Sequence, residues 1–394
     1  MATQDIKSIT DQFIANTYAR QPILLTRGEG VTLWDDKGNQ YTDFLAGIAV
    51  CILGHAHPAV ADAVCAQARK LCHVSNLFYT EPAAMLAKQL TDHSFADRVF
   101  FGNSGAEANE AAIKLSRKYA KENGHPERYR IITAEKSFHG RTMATLSATG
   151  QHKIHAGFEP LVEGFDYVPY NDLAAVRSAI TDETCAILVE PVQGEGGVIV
   201  PDPGYLKGLR ELCTENEILL MLDEIQTGMG RTGKLFAHEH FGITPDVATL
   251  AKGIANGLPM GAMLATEKAA EALTPGSHAS TFGGNPVAAA AALVVVETLL
   301  HKGVLENCVS VGATFKDKLL ALADSHDCVK NVRGLGLMLG MELDRDAMDL
   351  VARLRDKGFL VNCTQGTVLR FVPPLIITEK EIDALCAALD EVLP

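Results

Sequence analysis

The apolar residues of this sequence form short runs that alternate with stretches of helical periodicity. Short buried strands separated by helices are typical of a parallel sheet that is covered by helices on both faces. The sequence therefore predicts an α/β fold built on a mostly parallel sheet. The predicted strands are residues 98–101, 130–133, 185–189, 218–222, 247–250 and 261–265.

The pattern changes at both ends of the chain, before Val60 and after Pro286. The head holds two short strands around the turn Lys37-Gly38-Asn39, and the tail opens with an apolar helix over residues 287–300. We therefore predict a large central domain and a smaller α+β domain assembled from both ends. The predicted segments are 1–59 and 287–394 for the small domain and 60–286 for the large one.

Composition narrows the class of protein. Of 394 residues 47% are hydrophobic, yet no apolar segment approaches the roughly 20 residues of a membrane-spanning helix. Residues 1–7 lack the features of a signal or transit peptide. The net charge of −13 argues against nucleic acid or an anionic membrane as the main partner. Nine cysteines without C-x-x-C spacing indicate reduced thiols, so we expect a cytoplasmic protein.

Two apolar runs end in charged residues that we expect to meet at one edge of the sheet. Residues 219–222 precede Asp223, and residues 248–251 precede Lys252. An open α/β sheet binds its ligands at the carboxyl ends of its strands. A carboxylate and an amine there suit pyridoxal phosphate, because the amine condenses with the cofactor aldehyde and the carboxylate keeps the pyridine nitrogen protonated. For Asp223 alone, a buried helix cap is the alternative.

A candidate anion site lies where residues 99–101 run into a turn of small residues and then a helix over 108–120. Free backbone N–H groups and the helix dipole attract an anion there, and Ser104 adds a hydroxyl donor. An ordinary capping box is the alternative, because Glu107 follows Ser104 by three residues. No G-K-[ST] sequence follows, which excludes a Walker phosphate loop.

Six motifs occur along the chain in a specific order. They are NSGAEANE (103–110), FHGRT (138–142), EPVQGEGG (190–197), DEIQTG (223–228), AKG (251–253) and TFGGNP (281–286). Together they resemble the class III (ω-amino acid) pyridoxal-phosphate aminotransferases, from Asn16 to Pro374. The resemblance implies the aspartate-aminotransferase-like PLP-dependent transferase fold type I, with a mostly parallel mixed sheet in the large domain and a small α+β domain. It also implies a homodimer with shared active sites.

The resemblance implies roles for individual residues. Lys252 and Asp223 are the expected catalytic residues: the lysine binds the cofactor aldehyde and then moves a proton, and the aspartate pairs with the pyridine nitrogen. Phe138 stacks on the ring, Gln226 bonds the ring oxygen, and Thr281 reaches the phosphate of the neighbouring subunit. The expected cofactor-binding residues are Ser104, Gly105, Ala106, Phe138, Asp223, Glu224, Ile225, Gln226, Lys252 and Thr281.

Substrate binding is expected to depend on two arginines. The planar guanidinium groups of Arg141 and Arg370 match carboxylates, although for either residue alone a solvated surface position is the alternative. By resemblance, Glu195 is a gate that pairs with Arg370 when the substrate presents an amine and releases it when the substrate is glutamate. The expected substrate-binding residues are Tyr18, Arg141, Glu195, Ser280 and Arg370.

Within the class, the resemblance is to enzymes of arginine biosynthesis that transfer the ω-amino group of N2-acetyl-L-ornithine to 2-oxoglutarate. Ile48 stands where ornithine δ-aminotransferases carry a tyrosine, which favours the acetylated substrate. Ornithine, succinylornithine, succinyl-diaminopimelate and 4-aminobutyrate stay open, because a pocket separates small acyl differences by only about 1–3 kcal/mol.

Other classes of function compete with this interpretation. The histidine pairs at 55/57, 152/155 and 238/240 look like fragments of a metal site, but none has zinc-site spacing, so we expect no metal. A non-catalytic binding module is disfavoured because both Lys252 and Asp223 are present. A PLP enzyme with another reaction, such as an aminomutase or decarboxylase, would not depend on 2-oxoglutarate.

Overall fold

The computed structural model describes residues 3–394, with side chains from residue 5 onward, and the strands within this range form three sheets. The strands are β1 Leu25–Glu29, β2 Thr32–Asp35, β3 Gln40–Asp43, β4 Arg98–Gly102, β5 Arg130–Ala134, β6 Phe165–Val168, β7 Thr184–Val189, β8 Leu219–Asp223, β9 Val247–Leu250, β10 Gly261–Ala265, β11 Val329–Leu335, β12 Met338–Leu343, β13 Phe359–Leu360, β14 Asn362–Thr364 and β15 Val368–Phe371. The longer helices are Thr3–Phe13, Pro58–Lys70, Glu81–Asp92, Gly105–Glu122, Tyr205–Glu215, Pro286–His301, Val304–Ser325, Met348–Asp356 and Glu379–Val392. Short helical segments are Ala46–Ala49, Met143–Ala148, His152–Ile154, Leu173–Ala179, Ala237–Phe241, Lys252–Ala255 and Glu267–Ala270.

The largest sheet has seven strands in the order β4-β10-β9-β8-β7-β5-β6. The pairs from β9 to β6 are parallel, whereas β10 is antiparallel to both of its neighbours. Every residue of β7 to β10 is buried, as expected of strands that helices cover on both faces. The prediction of an α/β fold with a mostly parallel mixed sheet is confirmed. The strand that sequence analysis missed, β6, is short and carries Asp166 and Tyr167, so it has no apolar run.

The two smaller sheets each have four strands. One has the order β1-β2-β3-β13, in which β13 from the tail pairs in parallel with β3 from the head, and the other has the order β11-β12-β15-β14. The two ends of the chain therefore share a sheet. The division at residues 59 and 286 stays a prediction, and residues 1 and 2 of the predicted head lie outside the described part.

The helix Pro286–His301 is a core element. It packs against Pro58–Lys70 and Glu81–Asp92, and small residues such as Ala289 and Ala292 are among those it buries. Within residues 3–394, no single helix is long and apolar enough to cross a membrane. Pro286–His301 and the following helix reach that length and composition only as a pair, which is bent by 66°.

Candidate active site

The carboxyl ends of β8 and β9 and the start of the helix Gly105–Glu122 converge on a cavity of about 410 Å³. This volume suits a small-molecule or cofactor site. The cavity is the one that sequence analysis anticipated at this edge of the sheet. The expected site residues that line it are Ser104, Gly105, Ala106, Phe138, Arg141, Glu195, Asp223, Ile225, Gln226 and Lys252.

Asp223 is buried at the end of β8, and three neighbours contact its carboxylate. Asn109 Nδ2 and His139 Nδ1 each lie 2.8 Å from Oδ2, and the Ile225 N–H donates to Oδ1 at 3.1 Å. Thr249 Oγ1 donates to Asn109 Oδ1 at 2.7 Å and so orients the amide with its N–H groups toward Asp223. These donors match the acceptor oxygens of a carboxylate and hold the Asp223 side chain in place at the cavity, which it lines.

Lys252 lies two residues after the end of β9 and has φ = +44°, which is unusual for a residue other than glycine. Such backbone strain persists where surrounding structure enforces it, often at functional sites. Burial lowers the pKa of the Lys252 amine, although the negative charge of Glu195 opposes this shift. A lowered pKa leaves more of the amine neutral and therefore nucleophilic.

The start of the helix Gly105–Glu122 is the candidate anion-binding turn. Ser104 is the N-cap, and its Oγ accepts the Glu107 N–H at 3.2 Å, which is half of the capping-box alternative; the Glu107 side chain accepts the Asn103 N–H at 2.8 Å. The turn is also close-packed. A Cβ on Gly105 would lie 2.7 Å from Ile225 Cδ1, and one on Gly261 would lie 2.2 Å from the Ser104 carbonyl oxygen. The first-turn N–H groups of this helix therefore face the cavity at a tightly defined position.

Arg370 is only 1% exposed and does not line the cavity itself, but it contacts two residues that do, Glu195 and Gln226. It forms an ion pair with Glu195, donates from Nη1 to Gln226 Oε1 at 3.2 Å, and donates from Nε to Asn362 Oδ1 at 3.3 Å. Burial would raise the pKa of Glu195, but the charge and hydrogen bond of Arg370 outweigh it and lower that pKa. The described conformation thus has the arginine neutralised by its carboxylate partner.

Arg141 contrasts with Arg370 because its side chain is exposed at the cavity mouth, where its guanidinium lies 5.4 Å from the centre of the Phe138 ring. The buried Glu190, which also lines the cavity, accepts the backbone N–H groups of Phe138 at 3.1 Å and Gly194 at 3.0 Å. Burial is the main cause that raises the pKa of Glu190 to about 7. The loop that carries Phe138 is therefore held by a carboxyl group that titrates near neutral pH.

Glu224, an expected cofactor contact, does not line the cavity. Its side chain is fully buried and accepts hydrogen bonds from Thr227 Oγ1 at 2.6 Å and from the N–H groups of Ala237 at 3.0 Å and His238 at 2.8 Å. The structure places this carboxylate in the loop interior, where it fixes the segment after Asp223.

Three further expected residues also lie away from the cavity lining. Tyr18 is 69% exposed, with the Arg20 guanidinium 5.4 Å from its ring. Ser280 Oγ accepts from Asn103 Nδ2 at 3.2 Å and from the Gly283 N–H at 3.0 Å, so it contacts the anion-binding turn rather than the cavity. The neighbouring Thr281 is exposed. Their roles stay predictions.

Sequence analysis assigned no role to several residues that shape the site: Asn109, His139, Glu190, Thr249 and Asn362. Asn109 could have been recognised from the sequence as a candidate site residue, because it is a polar residue on an otherwise alanine-rich buried helix face. His139 lies inside a recognised motif, and its Nε2 is buried without a hydrogen-bond partner among the described residues.

The cavity fits pyridoxal phosphate by the chemistry of its donors. A buried carboxylate, a lysine of lowered pKa, an aromatic ring and a helix N-terminus surround one space of suitable volume. These groups match a pyridine nitrogen, an aldehyde, a ring face and a phosphate. A metal centre lacks comparable support, since no group of three or more His, Cys, Asp or Glu side chains among the described residues could hold a metal ion.

Comparisons with known proteins agree with this geometry. A family model described as aminotransferase class-III matches residues 13–393. The acetylornithine aminotransferase of Caldanaerobacter subterraneus subsp. tengcongensis is 52% identical over 97% of this chain and 97% of its own length. The acetylornithine aminotransferase of Methanothermobacter thermautotrophicus is 51% identical over 100% of this chain and 99% of its own length.

Solved structures of related enzymes share the whole fold. The ornithine aminotransferase from Toxoplasma gondii ME49 has a TM-score of 0.95 at 36% identity and covers 99% of this chain and 94% of that one. The acetylornithine aminotransferase from Elizabethkingia anophelis has a TM-score of 0.90 at 33% identity, with coverage of 100% and 99%.

Proposed function

The chain belongs to the class-III aminotransferases, enzymes that move amino groups between small amino and 2-oxo acids, and we propose N2-acetyl-L-ornithine as its amino donor and 2-oxoglutarate as its acceptor. The products are N-acetyl-L-glutamate 5-semialdehyde and L-glutamate, in a reversible step of arginine biosynthesis. The observation that carries the proposal is the presence of two different arginines at one cavity: the exposed Arg141 lines it, and the buried Arg370 is paired with Glu195, which also lines it. The names of relatives at about half identity over nearly the whole chain support the acetylated donor.

Enzymes of this class use pyridoxal phosphate, and we infer that the described cavity holds it in this chain. The cofactor, when bound, supplies an electron sink for the substrate carbon. Asp223 would hold the proton on the pyridine nitrogen, Phe138 would cover the ring face, and the turn after Ser104 would bind the phosphate. Lys252 would hold the aldehyde carbon.

The residues of the chain divide the proton chemistry between them. Lys252 Nζ would take a proton from the substrate carbon and deliver it to the aldehyde carbon of the cofactor, which its lowered pKa and its position beside the cavity favour. Asn109 and His139 donate to the Asp223 carboxylate and fix it beside the cavity, where it would stabilise positive charge in front of it. Phe138 and the buried wall around it exclude water.

The two arginines explain how one site accepts two unlike substrates. With acetylornithine, Arg141 binds the α-carboxylate at the mouth, and Glu195 neutralises Arg370 so that no free cation faces the acylated chain. With 2-oxoglutarate or glutamate, Glu195 releases Arg370, which binds the α-carboxylate while Arg141 binds the distal one. Both guanidinium groups then make bidentate contacts to a dicarboxylate.

We also propose that the chain acts as a homodimer. Leu77 is 84% exposed, Phe78 is 68% exposed, and Phe282 at 57% lies beside the expected partner contact Thr281. Asn76 joins these segments, because its side chain donates to the carbonyl groups of the loop at Ser280 and Gly283. Large exposed apolar side chains of this kind mark an interaction surface. Analytical ultracentrifugation should give twice the mass of the chain, and a fully active monomer would contradict the proposal.

The substrate proposal is tested by the absorbance of the purified holoenzyme. Stoichiometric acetylornithine, ornithine, succinylornithine, succinyl-diaminopimelate or 4-aminobutyrate is added, and the cofactor band is followed at short times. Acetylornithine should convert the band fastest, and 2-oxoglutarate should restore it. If another donor converts the band faster, that donor replaces acetylornithine in the proposal. If 2-oxoglutarate fails to restore the band, aminotransfer to this acceptor is contradicted.

A further inference from the structure

Asn362 faces Arg370 across two antiparallel strands. The register of β14 and β15 pairs Asn362 directly with Arg370, so their side chains project from the same face of the sheet. Their contact is a hydrogen bond from Arg370 Nε to Asn362 Oδ1 at 3.3 Å. On the other side of β15, the partner in register is Gly340, which has no side chain. Asn362 is thus the cross-strand side chain that orients the guanidinium.

The partners of Arg370 differ in charge. Asn362 and Gln226 offer neutral amide oxygens, at 3.3 Å and 3.2 Å, whereas Glu195 offers a carboxylate. Glu195 is the one carboxylate paired with Arg370 within the described residues. When Glu195 leaves, the two amides keep the guanidinium oriented but leave its charge uncompensated. An uncompensated buried cation binds a carboxylate strongly.

The same hairpin also holds the backbone of Glu195. Thr364 Oγ1 and Gln365 Nε2 both donate to the Glu195 carbonyl oxygen, at 3.0 Å and 2.6 Å. Thr364 belongs to β14, and Gln365 follows it in the turn before β15. Since the main chain of Glu195 is fixed to the strand pair that carries Arg370, opening of the ion pair requires only rotation of the glutamate side chain.

We propose that Asn362 is a positioning residue that determines substrate specificity: it keeps Arg370 ready to bind a carboxylate while contributing no charge of its own. The inference rests on the proposed dual-substrate function and deepens it. In this arrangement, the neutrality of position 362 is as important as its hydrogen bond, because a carboxylate there would neutralise Arg370 permanently.

The test is Asn362→Asp, which keeps the shape of the side chain and adds a charge. For the holoenzyme, the variant should lower kcat/KM of the glutamate half-reaction about tenfold or more, as expected for loss of a charge-assisted contact, and leave the acetylornithine half-reaction within about threefold. Equilibrium binding of glutarate, an unreactive dicarboxylate, should weaken by a similar factor. Asn123→Asp makes the same chemical change at an exposed helix end and should alter neither quantity.

Asn362→Ala separates orientation from charge. This variant loses the hydrogen bond to Arg370 without gaining a carboxylate, so it should weaken glutarate binding less than Asn362→Asp does.

A decisive combination is the double variant that carries both Glu195→Ala and Asn362→Asp. The new carboxylate should restore acetylornithine turnover toward the wild-type rate and reduce glutamate turnover below that of Glu195→Ala alone.

The outcomes distinguish this inference from the proposed function. If Glu195→Ala shifts preference toward glutamate but Asn362→Asp slows both half-reactions equally or leaves glutarate binding unchanged, the role of Asn362 is wrong and the gate stands. If Glu195→Ala produces no shift, the gate itself fails and the inference about Asn362 fails with it. Melting temperatures of all variants identify a change that arises from unfolding.

Discussion

His139 Nδ1 lies 2.8 Å from Asp223 Oδ2, and both side chains are buried beside the cavity. The carboxylate accepts, so the imidazole must carry its proton on Nδ1. Asn109 donates to the same oxygen at 2.8 Å. Two donors on one oxygen fix the orientation of the Asp223 carboxylate, and both predictions that follow depend on this arrangement.

Asp223→Asn should remove turnover while the cofactor stays bound. An amide cannot stabilise a protonated pyridine nitrogen as a carboxylate does, so kcat should fall by about a thousandfold or more, roughly 4 kcal/mol in activation free energy. Cofactor absorbance after gel filtration measures retention, and steady-state kinetics measures kcat. Asp246→Asn serves as the control. It removes another partly buried carboxylate, which lies just before β9 and binds Arg210. Near-normal turnover of Asp223→Asn would reduce this residue to a structural cap.

Replacements of His139 should separate the hydrogen bond from simple packing. His139→Asn retains a donor that can reach Asp223, whereas His139→Leu removes it. Because a hydrogen bond to a charged group contributes about 1.5–3 kcal/mol, His139→Leu should lower kcat by roughly ten- to a hundredfold. His139→Asn should recover most of that loss. Equal activity of the two variants would show that the histidine only fills space.

Arg370→Ala and Glu195→Ala should have opposite effects on the two substrates. Loss of the buried guanidinium removes a contact worth about 2–5 kcal/mol to the glutamate carboxylate, so Arg370→Ala should impair the glutamate half-reaction selectively. Glu195→Ala leaves Arg370 free and should instead impair acetylornithine. Single-turnover kinetics followed by cofactor absorbance measures each half-reaction. Equal slowing of both half-reactions in both variants would assign these residues to general folding.

Glu190 should make the stability of the protein depend on pH. Burial raises its pKa from the ordinary 4.5 to about 7, so between these pH values the folded protein holds a proton that the unfolded chain has released. Stability should therefore fall as pH rises from 4.5 to 7, by on the order of 3 kcal/mol, and level off above pH 7.

The urea-unfolding midpoint of Glu190→Gln, measured from pH 5 to 8 at fixed protein concentration, checks this effect. The glutamine is neutral at every pH, so this variant should lack the decline and gain stability over the wild type toward pH 8. Glu211→Gln, at an exposed position, is the matched control. Parallel pH profiles for wild type and Glu190→Gln would refute the assignment.

The main sheet and the position of its ligand edge could be predicted from sequence because they depend on local patterns. The apolar runs that precede Asp223 and Lys252 are buried strands, and the two residues line one cavity as the positions of the runs implied. Strand β6 could not be predicted in this way, since tertiary pairing with β5 rather than an apolar run makes it a strand.

Contacts between distant segments could not be predicted from one sequence. Asn109 reaches Asp223 across 114 positions, and Asn362 meets Arg370 only because β14 and β15 pair in that register. Glu224 shows that a position next to a site residue in sequence does not place a side chain in the site. It is adjacent to Asp223 in sequence, yet its side chain faces His238 and the loop interior, because neighbouring residues in an extended segment point in opposite directions.

The assignment of Lys252 as the residue that holds the cofactor is tested by the position of the covalent link. The wild-type holoenzyme is reduced with borohydride and digested, and the pyridoxyl-labelled peptide is identified by mass spectrometry. Lys252 should carry the label, since it follows β9, lines the cavity with Asp223 and has a pKa lowered by burial. Lys252→Ala should fold, bind the cofactor without a covalent link and lose nearly all turnover. A label on any other lysine, or an active Lys252→Ala variant, would contradict this role of Lys252.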